Sequence, residues 1–153
     1  MVQDHYAARY TAHRWKIPHA FNIADACCRR WADAPERTAI LAEDAEGNTA
    51  SHSYIELMQA ANRLSNALRA RGIQAGDRVA MVMPQRFEAA VSLIAIFQLG
   101  AVAMPLSTLF GPEAMAYRLQ DSGAVAALVD GRGVDSLTAV RGQCPALMTL
   151  ICV

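Results

Sequence analysis

The second half of the chain alternates short apolar runs with helical segments, and no other feature limits the possible folds as strongly. The apolar runs contain one charged residue between them, Arg78, and cover residues 78–83, 101–106, 124–129 and 147–153. Runs that stay apolar, instead of alternating apolar with polar residues, are typical of strands buried on both faces. Helical patterns separate these runs. The sequence therefore predicts an α/β fold with a parallel sheet, helices on both faces and right-handed crossovers.

Proline and glycine mark the ends of the helices between these strands. We expect Pro84 to open an apolar helix that ends at Gly100. Pro112 begins the next helix, because proline at the first helical position needs no amide hydrogen, and Gly123 closes it. We expect the third helix at residues 134–141.

The stretch between Glu88 and Glu113 could be mistaken for a membrane span. It carries no charge, and its apolar part approaches the ~20 residues that a bilayer-spanning helix needs. Gly100 and Pro105 interrupt it, however, and leave a helical stretch that is too short to span. The pattern therefore indicates a buried helix followed by a buried strand, and not a membrane span.

The first half of the chain is organised differently. Residues 1–21 have no clear period, and we predict that they form an N-terminal arm packed on a larger body. The α/β subdomain then covers residues 22–153. It starts with a short helix that begins at Asn22 and ends before Pro35.

A hairpin and a long helix are expected before the sheet. Residues 38–42 and 49–51 flank a polar turn and predict two antiparallel strands. Ser53 and Glu56 have the spacing of a capping box, in which each side chain accepts a hydrogen bond from the other residue's amide. The helix that they begin repeats its apolar residues at intervals of three and four, and it stops at Gly72.

Composition and charge exclude several classes of function. The chain has 153 residues, enough for one domain with a sizeable core, and its 14 basic and 14 acidic side chains cancel. A net charge near zero gives no electrostatic footprint for nucleic acid or for a membrane surface. The four cysteines form no CxxC pair and no signal peptide is visible, so we expect a reducing, cytoplasmic location.

By residue chemistry alone, the sequence contains no identifiable active site. Gly131-Arg132-Gly133 is the one dense glycine turn, but it matches neither GxGxxG nor GxxxxGK[ST], and it could reach an anion only through Arg132. Asp130 ends a predicted parallel strand, where α/β folds place ligands, but a loop-capping role is the better explanation of this residue. Some residues lack the spacing or the partners of a metal site, a triad or a nucleophile: His5, His13, His19, His52, Cys27, Cys28 and Ser53.

An ordered set of segments covers nearly the whole chain. It consists of SYIEL (53–57), ANRLSNAL (61–68) and GIQAGDRVA (72–80), followed by LGAVAMPL (99–106), FGPEA (110–114) and YRLQDSGA (117–124). These segments resemble the first two core regions of the adenylate-forming, or AMP-binding, acyl-CoA synthetase family. RWKIP (14–18) and FNIA (21–24) are similar to the branch that uses acetate-like, medium-chain or aromatic acids.

This resemblance implies a fold, a reaction and partners. The fold would be part of the N-terminal large domain of the adenylate-forming enzymes. The family joins a carboxylic acid to coenzyme A in two steps, with ATP and Mg as cofactors, and releases AMP and pyrophosphate. The partner would be the remainder of the synthetase or a completing chain, and the substrate a small carboxylic acid. The residues themselves assign no bound cofactor and no metal to this chain.

The resemblance also implies a possible coenzyme A site. In relatives, the loop after Pro105 approaches the pantetheine tunnel, and the basic segment after the next strand approaches the coenzyme A phosphates. The corresponding residues here are Ser107, Thr108, Leu109 and Arg132. The alternative is that this loop merely joins a strand to a helix.

The family's catalytic segments have no counterpart in this sequence. The phosphate loop ending in Pro-Lys-Gly, the Tyr-Gly-x-Thr-Glu segment, the ribose-binding aspartate and the C-terminal lysine are all absent, so no catalytic residue carries over. We therefore expect an N-terminal fragment that is inactive alone, and the apolar end of the chain at 149–153 is typical of an interrupted fold. The alternatives are a non-catalytic α/β module that binds a nucleotide or a partner through its open sheet edge, and a separately encoded subunit.

Overall fold

The computed structural model describes residues 4–153, and the first three residues of the predicted arm lie outside that range. Two sheets and six α-helices make up the described part of the chain. The elements, in chain order, are α1 (Tyr6–Ala12), α2 (Ile23–Cys27), a 3-10 turn (Arg29–Trp31), β1 (Thr38–Glu43), β2 (Thr49–Ser53), α3 (Tyr54–Ala70), β3 (Arg78–Val82), α4 (Phe87–Gln98), β4 (Val102–Leu106), α5 (Pro112–Ser122), β5 (Ala126–Val129), α6 (Val134–Arg141) and β6 (Thr149–Cys152).

The four apolar runs form one parallel sheet, as predicted. Its strand order is β4-β3-β5-β6, so β3 lies between two neighbours and β4 and β6 are the edges. Each pair is in simple parallel register; Ala80, for example, lies beside Met104 on one side and Ala127 on the other. The predicted hairpin forms a separate antiparallel sheet of β1 and β2.

Helices cover both faces of the parallel sheet, which confirms the predicted layering. Val79 and Met81 face a core to which α3 contributes Leu68 and α4 contributes Ile96. The alternate residues of β3 face a second core, which contains Met115 and Leu119 of α5 and Leu137 and Val140 of α6. Since successive side chains of a strand point to opposite faces, each buried strand supplies both cores.

Helix α3 begins with the predicted capping box. The Ser53 hydroxyl accepts a hydrogen bond from the Glu56 amide at 3.2 Å, and the Glu56 carboxylate accepts one from the Ser53 amide at 2.7 Å. The hydrogen bonds that the Ser53 amide and hydroxyl donate to the Glu56 carboxylate hold the pKa of Glu56 below its usual value. The box fixes the point at which the hairpin passes into the helix that covers the sheet.

Two expectations for the region between β3 and α5 were wrong. Helix α4 begins at Phe87 and not at Pro84, because Arg86 has extended backbone angles (φ −154°, ψ 169°). Strand β4 is half-exposed and not buried, since it lies at the edge of the sheet, and Val102 is 48% exposed. Within residues 4–153, no helix has the length and the apolar character needed to cross a membrane.

The N-terminal arm differs from its prediction as well. It contains helix α1, and residues 4–21 are all exposed, so the described part of the arm does not pack on the body. Asn22, the next residue, is partly buried. Its side-chain oxygen accepts from the amide of Ala24 at 2.9 Å and caps α2, while its side-chain nitrogen donates to the Phe97 carbonyl at 2.8 Å.

Candidate binding site at the carboxyl edge of the sheet

The order of the strands creates a crevice between β3 and β5. From β3 the chain crosses one face through α4 to β4, then crosses the opposite face through α5 to β5 on the other side of β3. The direction of winding therefore reverses at β3. In open α/β sheets, ligands bind outside the carboxyl ends of the strands at such a switch point.

A cavity of about 260 Å³ lies at this point. Two of the four residues suggested by the sequence, Thr108 and Arg132, line it together. The complete lining is Val82, Pro84, Thr108, Met115, Asp130, Arg132, Gly133 and Ser136. The fold thus brings the loop after β4 and the turn after β5 to the same place.

Asp130 holds the turn that carries Arg132. Asp130 is 5% exposed, and its Oδ1 accepts a hydrogen bond from the Gly133 amide at 3.0 Å. The Asp130 carbonyl accepts from the same amide, also at 3.0 Å. The loop-capping role of Asp130 is therefore confirmed. These two bonds join residues 130 and 133, and Arg132 lies in the turn between them.

Gly133 lets this turn approach the strands closely. A Cβ atom at Gly133 would lie 2.5 Å from Cγ2 of Val129 and 3.2 Å from the carbonyl oxygen of Val82. Real Cβ atoms do not approach other atoms to 2.5 Å, so a side chain would force the turn away from the sheet. The second glycine of the Gly131-Arg132-Gly133 motif therefore allows the turn to pack against the strands. Gly131 has no such role, since a Cβ there would meet nothing within 4 Å.

The groups around the cavity are suited to binding an anion that also carries hydrogen-bonding groups. Arg132 brings a positive charge, and α6 begins at the cavity wall with Gly133 at its N-cap and Ser136 in its first turn. The free amides at the start of a helix attract negative groups. Thr108 and Ser136 add hydroxyls, and Asp130 adds a carboxylate that can accept from an amide or a hydroxyl of a ligand.

Arg86 is a nearby cation that the sequence analysis did not single out. It forms an ion pair with Glu88 at the start of α4. The hydrogen bond to Glu88 raises the pKa of Arg86, with a smaller contribution from the charge of Asp130. Nothing in the local sequence marks this residue, because its place near β5 follows from the strand order.

The other two suggested residues lie outside this cavity. Ser107 borders a second cavity, of about 400 Å³, on the α4 side of the sheet, where Met81, Met83 and Leu93 contribute. Its hydroxyl accepts from the Leu109 amide at 3.1 Å, which shapes the loop. Leu109 itself is 91% exposed and lines neither cavity.

Two of the four cysteines and one of the histidines have structural surroundings. Burial raises the pKa of both the Cys28 and the Cys144 thiols, which makes them poor nucleophiles. His52 stacks on Phe87 with ring centroids 4.1 Å apart. Across residues 4–153, no three His, Cys, Asp or Glu side chains are grouped so that they could hold a metal ion.

Comparison with known sequences gives matches along most of the chain. The sequence matches the family profile described as "AMP-binding enzyme" over residues 28–152. It is 37% identical over 115 residues to the acetyl-coenzyme A synthetase of Halorhodospira halophila, covering 74% of this chain and 18% of that protein. It is 36% identical over 123 residues to the acetyl-coenzyme A synthetase of Escherichia coli K12, covering 79% of this chain and 19% of that protein.

Solved structures share the fold. The crystal structure of the Brucella canis acyl-CoA synthetase matches with a TM-score of 0.79 and 26% identity, covering 99% of this chain and 27% of that one. The Mycobacterium tuberculosis fatty acyl CoA synthetase matches with a TM-score of 0.74 and 28% identity, covering 86% of this chain and 26% of that one. The chain therefore spans less than a third of the length of each of these four proteins.

Proposed function

Because the chain belongs to the AMP-binding enzyme family, we propose that it is the N-terminal part of a cytoplasmic, ATP-dependent acyl-CoA synthetase. Such an enzyme joins a small carboxylic acid to coenzyme A and converts ATP to AMP and pyrophosphate. The names of the relatives, acetyl-coenzyme A and fatty acyl CoA synthetases, support this class of substrate. The motifs along 53–124 support it independently of those names.

The contribution of this part is to bind coenzyme A and not to catalyse the reaction. One observation carries this proposal: Thr108 and Arg132, from two separate loops, line one cavity at the switch point of the sheet. The phosphates of coenzyme A are anions, which suit Arg132 and the start of α6. The amides and hydroxyl of its pantetheine arm suit Asp130 and Thr108.

Catalysis requires a completing polypeptide, which is the remainder of the synthetase or a separate chain. Transfer of an adenylyl group from Mg-ATP depends on positioned cations and backbone donors around the phosphates. The sequence has one lysine, Lys16, in the exposed arm, and it lacks the glycine-rich phosphate loop of the family. The chain alone, mixed with Mg-ATP, acetate or octanoate, and coenzyme A, should release no pyrophosphate above the blank; steady release would show that it is a complete catalyst.

Coenzyme A binding tests the site directly. Titration calorimetry and amide chemical shifts should detect coenzyme A at the cavity, and Arg132→Ala should weaken binding about tenfold, the effect of losing one charge-assisted hydrogen bond. Arg63→Ala on the exposed face of α3 is the matched control and should leave the affinity unchanged. Pantetheine, which has no phosphate, should bind both variants equally.

The comparison of ligands also separates the alternatives. Equal weakening of coenzyme A binding by Arg63→Ala and Arg132→Ala would show that coenzyme A does not bind in this cavity. A non-catalytic module is the second candidate function, and the outer edge of β6, which no strand covers within residues 4–153, favours it. Such a module would bind AMP as tightly as it binds coenzyme A, whereas the proposed site requires the pantetheine arm for full affinity.

A further inference from the structure

The loop between β4 and α5 brings Thr108 to the cavity, but little of this loop is packed. Ser107, Thr108 and Leu109 are exposed, whereas Phe110 is half-buried against the core that lies under α5 and α6. The Leu109 amide donates to the Ser107 hydroxyl at 3.1 Å, and the Phe110 amide donates to the Ser107 carbonyl at 3.2 Å. These two bonds shape the loop from within. Phe110 is the residue that attaches it to the core.

Arg118 of helix α5 covers the Phe110 ring. Its guanidinium carbon lies 4.0 Å from the ring centroid, and its Nη1 donates to the Ala114 carbonyl at 2.9 Å. A long side chain on a helix points back toward the start of that helix. The guanidinium therefore lies beside Ala114, the neighbour of Met115 in the cavity wall.

The charge of Arg118 acts on the loop and not on the cavity. The lining of the cavity includes Arg132 but not Arg118. The face of the Arg118 guanidinium is occupied by the ring, and one of its N–H groups is occupied by a backbone carbonyl. Within residues 4–153, no carboxylate forms an ion pair with it. A cation held over an aromatic ring is attracted by the negative face of that ring, so Arg118 restrains Phe110.

We propose that Arg118 and Phe110 form a clamp that positions Thr108 in the coenzyme A site. This inference rests on the proposed function of the cavity. Thr108 lies two residues before Phe110, and neighbouring Cα atoms are only 3.8 Å apart, so a displaced ring displaces the Thr108 hydroxyl as well. The clamp fixes one wall of the cavity, and Asp130 fixes the opposite wall by holding the turn of Arg132. Arg118 and Phe110 are positioning residues that do not touch the ligand.

Pantetheine distinguishes the clamp from a direct contact with phosphate. Arg118→Met keeps the apolar stem and removes the charge, so titration calorimetry should show about two- to fivefold weaker binding of both coenzyme A and pantetheine, the factor that one exposed cation–π contact supplies. Arg118→Lys keeps a cation over the ring and should restore most of the affinity. Arg30→Met is the matched control, because Arg30 lies 4.8 Å from the Trp31 ring, outside the cavity lining, and should leave both affinities unchanged. Weakening of coenzyme A alone would make Arg118 a phosphate ligand and would overturn the clamp.

A second substitution shows whether the effect passes through Thr108. Thr108→Val removes the hydroxyl and keeps the shape of the side chain. In this background, Arg118→Met should weaken pantetheine binding no further, although it should lower the melting temperature as much as it does in the wild type. Equal further weakening in the Thr108→Val chain would overturn the positioning of Thr108.

Hydrogen exchange tests the clamp without any ligand. The amides of Leu109 and Phe110 should exchange about two- to fivefold faster in Arg118→Met than in the wild type, because the loop opens more often, and at the wild-type rate in Arg30→Met. Unchanged exchange in Arg118→Met overturns the clamp even where the chain binds coenzyme A. A wild-type chain that binds neither coenzyme A nor pantetheine overturns the site itself, and with it the role of the clamp.

Discussion

Replacing Gly133 with alanine should destabilise the fold by a predictable amount. The added methyl would lie 2.5 Å from Cγ2 of Val129, which is 1% exposed, and 3.2 Å from the backbone oxygen of Val82. Forcing an extra carbon into a packed core costs about 1–3 kcal/mol. Because the second contact is with backbone and a rotamer change cannot relieve it, we expect about 2–3 kcal/mol.

Thermal unfolding followed by circular dichroism measures this loss. For a chain of this length, 1 kcal/mol corresponds to about 2–4 °C, so Gly133→Ala should lower Tm by about 4–12 °C. Gly131→Ala is the matched control, since a Cβ there meets nothing within 4 Å and its φ is not positive. It should be neutral or stabilising by about 0.4–1 kcal/mol.

A double-mutant cycle identifies the cause of the loss. Val129→Ala removes the closest atom, so the double variant should lose about 1 kcal/mol less than the sum of the two single losses. The contact with the Val82 oxygen remains, so recovery should be partial. Strict additivity, or a Tm for Gly133→Ala equal to that of Gly131→Ala, would refute the close approach of the turn to the sheet.

Two further predictions concern the ends of helices. Asn22→Ala should lower the free energy of unfolding by about 1–2 kcal/mol in urea titrations, because it removes the cap of α2 and the bond to the Phe97 carbonyl. Asn22→Asp loses only the bond to Phe97 and keeps the cap, so it should lose less, and equal losses would assign no stability to the cap. Glu56→Gln tests the capping box by pH. Hydrogen bonds from Ser53 lower the pKa of Glu56 in the folded chain. The box therefore stabilises the fold fully at a pH above 4.5, the ordinary pKa of the carboxyl, and this stabilisation is lost as the pH falls through the lower pKa of the folded state. The difference in Tm between wild type and Glu56→Gln should therefore close in acid, and a difference independent of pH would contradict this origin.

The secondary structure could be predicted from the sequence where local chemistry determines it. The box at Ser53 and the glycine at position 123 gave correct helix ends, and α6 has the predicted bounds. The start of α4 was misplaced because Pro84 is compatible with a first helical turn, whereas Arg86 has an extended backbone and is the N-cap of the helix. The exposure of β4 could not be predicted, since an apolar run is compatible with a central strand and with an edge strand.

The candidate site was only partly predictable for a related reason. Family resemblance pointed to Thr108 and Arg132, but their meeting at one cavity depends on β3 lying between β4 and β5. The role of Gly133 in packing requires the distance from the turn to Val129, which the sequence does not contain. Arg86 carries no local signal at all.

The central position of β3 has a consequence for how the chain opens. Its amides and carbonyls are divided between β4 and β5, and its side chains between the two cores. Solvent can reach them only after both helical layers and both flanking strands have separated. In native-state hydrogen exchange, the amides of Ala80 and Met81 should therefore exchange only through global unfolding, long after those of the arm have been replaced by deuterium.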